Sequence, residues 1–508
     1  MYTCIVLVIW LVRVIKLCIY LSTYRIGIYI LYPLIFTSFW CVIQFLGQPS
    51  KIQRTSNRVI TKIVMPKRKA AEEDNCQDSL MANKLKIGIF GGGIVGGGVY
   101  ELVQKCIASG RFASLGASLD VTKICVRILD KPRDFELKGN CKLVTNYNDI
   151  LNDPEINCVV ELMGGITSAK DVVMGAIAAN KHVVTANKAL IAAYLPEIQA
   201  ALKAHPTVTF NYEAAVCGGI PIIHTLQSDF FADTINKVMG IMNGTTNFML
   251  CKMEDEGAEY ADALKEAQAL GFAEADPTAD VEGHDVQAKI SLLAKLCFGV
   301  SVPWETVPTV GISKLGAVDF EYASILKSTI KLVGTASLNS DKSLAVYVSP
   351  VLVPLSSPLA SAKGPGNMVV VSSENMGGNS TFAGPGAGRY PTANSVLNDL
   401  VRISLNKTVD PFPLNVSVPL NNDYVASFYV RISCADGLGI VRAVGEAAEH
   451  SGVSIHAILQ NPITSRAAVD FVVTTEDVRL SQVQDFANRI AAMPFSRSAP
   501  LFMPILQK

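Results

Sequence analysis

A glycine turn, Gly91-Gly92-Gly93-Ile94-Val95-Gly96, joins an apolar β-rich run, LKIGIF (85 to 90), to a helical pattern, VYELVQKCIAS. Few folds place a G-x-G-x-x-G turn between strand and helix. The first glycine makes the tight turn, the second lets backbone N–H groups approach a pyrophosphate, and the third lets helix pack on strand. Gly91, Gly93, Ile94, Val95 and Gly96 are therefore candidate dinucleotide contacts, against the alternative of a purely structural turn.

The alternation continues in VTKICVRIL (121 to 129), INCVVEL (156 to 162), KHVVT (181 to 185) and VTFNY (208 to 212), separated by helical patterns. It predicts an α/β fold, a Rossmann-type doubly wound parallel sheet over 84–224 with helices on both faces. Residues 225–383 lose that regularity and read as a second α/β domain for substrate and dimerisation. A glycine-rich loop and helix at 384–409 return to the nucleotide domain, and 410–423 is a proline-containing linker. Residues 424–508 read strand, helix, strand, strand, helix, strand: a βαββαβ ferredoxin-like unit.

Composition narrows the function classes. The chain has 508 residues, 50% hydrophobic and 17% charged, which suits several globular domains and excludes a disordered chain. Residues 1–71 carry ten Lys/Arg and no Asp/Glu, so the zero formal charge conceals a body with a net charge of −10. Such a body has no electrostatic basis for phosphate-backbone binding, and nucleic acid is not an expected partner. The 12 cysteines never form C-x-x-C and read as reduced, mostly buried thiols. Within the extension 1–83, residues 26–46 are uncharged and long enough to span a membrane as a helix. Pro33 near their centre and the basic, acid-free stretch 48–71 favour a cleaved leader, or translated non-coding sequence ahead of a start at Met65, over an anchor. Cytoplasmic or organellar residence after leader cleavage is the expectation.

Three further stretches carry chemistry. Arg127 and Lys131, just past the second strand, suit a ribose 2′-phosphate and favour NADP, whereas Asp130 would hold a 2′-hydroxyl and favour NAD. Lys188 follows KHVVT at a strand's carboxyl end, where open α/β sheets bind ligands. In GFAEADPTADVEGHDVQAKISLLAKL (271 to 296), Asp285 and Lys289 are spaced i, i+4 on one helix face. An exposed ion pair at an acidic helix N-terminus is the plain account. The sharper one has carboxylates holding a substrate ammonium while Lys289 exchanges a proton with a hydroxyl or carbonyl oxygen.

Together the glycine turn, CVVELMGGI (158 to 166), KHVVTANKAL (181 to 190), EAAVCGGIPII (213 to 223), NGTTNF (243 to 248) and EADPTADVEGHDVQAK (274 to 289) resemble homoserine dehydrogenase. The resemblance runs in consistent order from about Lys84 to Leu405, and the last 85 residues are similar to an ACT domain, a small amino-acid-binding regulatory fold. No kinase-like segment precedes residue 84, so the monofunctional form is expected.

The resemblance implies reversible NAD(P)-dependent reduction of L-aspartate 4-semialdehyde to L-homoserine, in threonine, methionine and isoleucine biosynthesis. It makes Lys289 the proton donor and acceptor beside Asp285, and sets Glu274, Asp280, Gly244 and Thr245 around the amino acid. Lys188 would lie between substrate and nicotinamide, and Gly386 would return to the cofactor. Glu213, Val216, Gly218 and Ile220 would hold a sodium ion, and a homodimer or higher homo-oligomer and a threonine effector are implied. Two other readings stand beside it: an acylating semialdehyde dehydrogenase using Cys217, which occupies a position where glycine is common in the family, and a non-catalytic regulator binding dinucleotide and amino acid.

Overall fold

The structure, a computed structural model, describes residues 84–412, 416–462 and 467–507. The candidate segments 26–46 and 48–71, and Met65, lie outside the described residues. Among the described residues no helix is long and apolar enough to cross a membrane.

Strands β1 (Lys84–Phe90), β2 (Ser118–Cys125), β3 (Lys142–Val144), β4 (Cys158–Glu161), β5 (His182–Thr185) and β6 (Phe210–Asn211) form one sheet of order β3-β2-β1-β4-β5-β6. Every pairing is parallel. Central strands buried on both faces are mainly apolar, and β4 is inaccessible along its length, with its one charged residue, Glu161, at the carboxyl end. Helices α1 (Ile94–Ala108), α2 (Thr167–Ala178) and α3 (Lys188–Ala204) make the crossovers. The strand order reverses between β1 and β4, and the crevice at their carboxyl ends is where such sheets bind ligands. Two details differ from the sequence reading. β2 stops at Cys125, two residues before Arg127, and a short edge strand, β3, is added.

The second sheet is built differently. Strands β7 (Ile235–Ile241), β8 (Ser328–Leu338), β9 (Leu344–Pro354), β10 (Gly366–Ser373) and β11 (Asn379–Pro385) pair antiparallel in the order β11-β10-β7-β8-β9. Helices α4 (Gly244–Glu256) and α5 (His284–Phe298) pack with it. From Val286 to Phe298 every residue of α5 is buried, which explains its apolar character all round. Contact with β8 is so close that a Cβ on Gly334 would fall 2.8 Å from Val286. Helix α6 (Arg389–Ser404) then returns to the first sheet, where Ala393, Val396, Leu400 and Ile403 share a core with Ile87, Val99 and Val103. The outgoing and returning crossings run side by side. Gly219 N–H donates to the Pro385 carbonyl at 3.0 Å, and Gly218, at φ +46°, has no room for a Cβ against the Gly386 carbonyl.

The C-terminal segment has β12 (Val425–Cys434), α7 (Ile440–His450), β13 (Ile455–Gln460), β14 (Val469–Thr475), the two-residue β15 (Val478–Arg479), α8 (Leu480–Ala491) and β16 (Leu501–Ile505). Its main strands pair antiparallel in the order β16-β12-β14-β13, the expected βαββαβ arrangement. Val444, Ala447, Val483 and Phe486 of the two helices pack on Phe428, Val430 and Ile432. Sequence reading does not anticipate that this sheet continues the second one. Ile505 of β16 pairs in parallel with Leu352 of β9, and Leu506 N–H donates to the Leu352 carbonyl at 2.8 Å.

Candidate active site

The centre of the site starts at a helix cap. Asn243 precedes α4 in extended conformation and accepts the Thr246 N–H at 2.8 Å through Oδ1, the usual service of an N-cap asparagine. Its Nδ2 turns the other way and donates to Asp280 Oδ1 at 2.7 Å and Asp285 Oδ2 at 2.9 Å. Asp285 stands in the first turn of α5, where a carboxylate is favoured by the helix dipole. One turn on, Lys289 Nζ reaches Asp285 Oδ2 at 2.6 Å and the Met242 carbonyl at 2.5 Å. Lys188, opening α3 on the parallel sheet, places Nζ 2.8 Å from Asp285 Oδ1. One carboxylate thus bridges two ammonium groups, one from each sheet's helices.

Burial decides what this cluster can do. Lys289 is only 7% exposed, while the Lys188 side chain is about a third exposed at 35%. Desolvation alone pushes the Asp285 carboxyl up, but the charges of Lys289 and Lys188 outweigh it and hold it well below the usual carboxylate range. Asp280 is raised by burial, partly opposed by its Asn243 bond. Lys188 is raised, chiefly by the Asp285 charge. The pair read from its i, i+4 spacing is therefore an enclosed ion pair.

Around this centre, Thr245 Oγ1 donates to the Phe272 carbonyl at 2.8 Å, and Gly244 lies against Pro365, where a Cβ would come within 2.9 Å of the carbonyl oxygen. Glu274 is exposed, and its carboxylate bonds to none of these groups. Asn243 opens the NGTTNF stretch named from the sequence, but neither it nor Met242 is given a role by that reading. The available signal was an asparagine directly before a helix of small residues, which marks an N-cap but not its second role toward two carboxylates.

The glycine turn has the geometry its motif requires. Gly91 takes φ +108° and donates N–H to the Cys125 carbonyl at 3.0 Å, and a Cβ on Gly96 would lie 1.8 Å from the Gly91 carbonyl oxygen. Gly93 caps α1 without a side-chain bond, and a Cβ there would meet nothing within 4 Å. The N–H groups of α1 beside Ile94 and Val95 thus face open space, as an anion site needs. Arg127 and Lys131 are exposed beyond β2. Arg133 bends back over the same loop to the carbonyls of Ile128, Leu129 and Lys131 at 2.5, 2.8 and 2.6 Å. Its charge alone did not separate it from its neighbours in sequence. At the ends of β4 and β5, Thr185 donates to buried Glu161 at 2.6 Å and receives Asn187 N–H at 3.0 Å, which fixes the start of α3 and hence Lys188.

The residues implied for a cation lie along one buried loop, 213–220. Glu213 accepts the Ile223 and His224 N–H groups at 2.9 and 2.8 Å, the Gly218 carbonyl accepts Ser395 Oγ at 2.7 Å, and the Ile220 carbonyl accepts Ile222 N–H at 2.9 Å. Val216 is fully buried. His224 Nε2 lies 2.5 Å from Asp399 Oδ1 and 3.7 Å from Glu213, so a buried imidazole stands between two carboxylates. Burial pushes both carboxyls up. An all-oxygen set suits a hard cation in kind, with the Glu213, Gly218 and Ile220 oxygens each already accepting one hydrogen bond. Gly386 adjoins this loop, against Asn367. Cys217 is fully buried at φ +55°, and desolvation pushes its thiol up to about 11. A thiol nucleophile requires the opposite environment.

A parallel sheet of this order, an open helix N-terminus behind a glycine turn and a lysine–aspartate–lysine cluster define an NAD(P)-dependent oxidoreductase. Comparison with known proteins specifies which. Residues 91–211 match the family model "Homoserine dehydrogenase, NAD binding domain" and residues 221–401 the model "Homoserine dehydrogenase". The homoserine dehydrogenase of a Synechocystis species is 39% identical over 437 residues, 83% of this chain and 99% of its own. That of Bacillus subtilis is 39% identical over 388 residues, 75% of this chain and 88% of its own. Among solved structures, a homoserine dehydrogenase from Thiobacillus denitrificans superposes with TM-score 0.78 at 36% identity, covering 84% of this chain and 99% of that one. A hyperthermophilic archaeal homoserine dehydrogenase in complex with NADPH gives 0.52 at 25% identity, covering 64% and 98%. The chain belongs to the homoserine dehydrogenase family.

Proposed function

We propose that the chain interconverts L-aspartate 4-semialdehyde and L-homoserine with Lys289 as proton donor and acceptor. The observation that carries this is the enclosed contact between Lys289, Asp285 and Lys188. A bound nicotinamide supplies hydride to the aldehyde carbon or accepts it from the alcohol. Lys289 gives its proton to the developing alkoxide, and in the reverse direction takes it from the hydroxyl. Asp285 orients both lysines so that neither must be repositioned during the reaction. Asp280, Gly244 and Thr245 line the place of the substrate's amino-acid end, and Glu274, exposed in the loop before Asp280, is assigned to the same end.

Lys289→Ala should lower kcat by about 10² to 10⁴-fold, the usual share of general acid catalysis, with NADPH affinity largely retained. Near-wild-type kcat would refute the assignment.

Finer readings belong with this proposal. Gly91, Gly93, Ile94, Val95, Gly96, Lys188 and Gly386 contact the cofactor. Arg127 and Lys131, exposed at the end of β2, favour NADP, so their double substitution should weaken NADPH more than NADH. Glu213 and the carbonyls of Val216, Gly218 and Ile220 hold sodium, and turnover in potassium-only buffer tests this. We divide the chain at the boundaries given above, assign 424–508 as an ACT domain responding to threonine, expect a homodimer or larger homo-oligomer, and place the enzyme in threonine, methionine and isoleucine biosynthesis, in the cytoplasm or an organelle.

A further inference from the structure

The second sheet buries a lysine that the reaction does not use. Lys331 of β8 has no exposed surface, and Cys251, on α4 against that strand, is 5% exposed. Lys331 Nζ lies 3.3 Å from Cys251 Sγ and 3.1 Å from the Ala362 carbonyl. Among the described residues no carboxylate pairs with it. Burying an amine without a counter-charge is costly, and packing does not ask for one here, since Ile330, Leu332 and Val333 beside it in the strand are core. The carbonyl is not reserved for Lys331 either, because the same oxygen accepts Asn247 Nδ2 at 3.2 Å. A lysine has three donors to place, and one of them here meets a thiol, a weak acceptor. The outcome is an enclosed nitrogen and sulfur in direct contact, brought from a helix and a strand.

We propose that Cys251 and Lys331 form a redox modification site, at which hydrogen peroxide joins Cys251 Sγ to Lys331 Nζ through one oxygen atom. Peroxide drives a thiol up an oxidation ladder whose first rung, sulfenic acid, condenses with a suitable neighbour before going further. One peroxide oxidises the Cys251 thiol to sulfenic acid and leaves as water. A second oxidises the Lys331 amine to the hydroxylamine, again leaving water, and any proton the amine carried goes to solvent. The hydroxylamine oxygen then attacks the sulfur, the S–OH bond breaks, and a third water departs. One thiol, one amine and two peroxides thus give the link and three waters. Because an oxygen stays between them, nitrogen and sulfur need only a small further approach from 3.3 Å. Two dithiothreitol molecules, each oxidised to its disulfide, return thiol, amine and one water. The link ties α4, the helix capped by Asn243, to the middle of the second sheet, and it does not depend on the dehydrogenase reading.

The test treats the intact native protein with hydrogen peroxide, removes the excess with catalase, and digests it for mass spectrometry with and without dithiothreitol. The peptides holding Cys251 and Lys331 should appear joined, at their summed mass plus one oxygen less two hydrogens, and dithiothreitol should separate them. Protein unfolded in guanidinium before peroxide is added should give at least an order of magnitude less of the joined species. In Lys331→Met and Lys331→Arg, checked for folding by circular dichroism, no link can form and Cys251 should run on to sulfinic acid. The wild-type measurement stands alone if neither variant folds. Three results would overturn the proposal: Cys251 stays unmodified in native wild-type protein; it reaches sulfinic acid there with Lys331 unlinked; or native and unfolded protein give equal yields of the joined peptides, which would make the link a product of chance encounter.

Discussion

Asp285 acts on two lysines at once, so its loss reaches further than the loss of a single ion pair. Removing one partner of an enclosed charged group leaves the other uncompensated. Because the Asp285 charge raises the Lys188 pKa, Lys188 keeps its proton above the ordinary lysine range. Asp285→Asn removes that charge, so the ammonium form is lost at lower pH and the alkaline limb of the kcat/KM profile should move to lower pH. An unmoved limb would show that Lys188 ionisation does not govern turnover. Cys217 is the opposite case, since its thiol stays protonated and shielded. Mass spectrometry after brief iodoacetamide treatment at pH 8 should find Cys217 unmodified in native protein, and Cys217→Ser should retain most homoserine oxidation. Rapid alkylation would revive the thiol-nucleophile reading.

At the level of elements, the cap of α4 supports fold and site through one side chain. Asn243→Ala removes the bond to Thr246 N–H, worth about 0.5 to 2 kcal/mol, and the donor shared by Asp280 and Asp285. The expected outcome is a lower thermal midpoint together with a raised KM for the semialdehyde, while NADPH affinity holds. A stability loss without a KM change would confine Asn243 to capping. Gly96→Ala is the complementary case: its Cβ would lie 1.8 Å from the Gly91 carbonyl oxygen, so fluorescence titration should show NADPH binding severely weakened. These elements also show what sequence makes legible. β1, β4 and β5 have apolar centres because both faces are buried there, and the glycine turn is written in residue types that only such a turn demands. β3 is not legible, because its three residues at a partly exposed edge carry no pattern. The link from Asn243 to Asp280 and Asp285 is equally hidden, since residues about 40 apart meet only after folding.

Across the whole molecule, the least legible feature is the union of two sheets. The βαββαβ order could be read from alternating periods, but pairing between two distant strand edges leaves no local trace. That union predicts how truncation fails. Removing residues 424–508 strips β16 from β9 at Leu352 and takes Tyr429, Val472 and Met503 out of the core that they share with Leu352. An unpaired strand end beside newly bared apolar surface invites association with other chains, so size-exclusion chromatography should show the truncated protein eluting as aggregate. A well-behaved truncated species would mean that the C-terminal unit is a detachable appendage. The neighbouring crossings at Gly219 and Pro385 also bear on motion. The chain passes a third time between the two sheets, from Phe412 beside Phe210 to Leu420 paired with Leu344, so the cofactor-side body is tied at a second place and the paired crossings cannot serve as a free hinge.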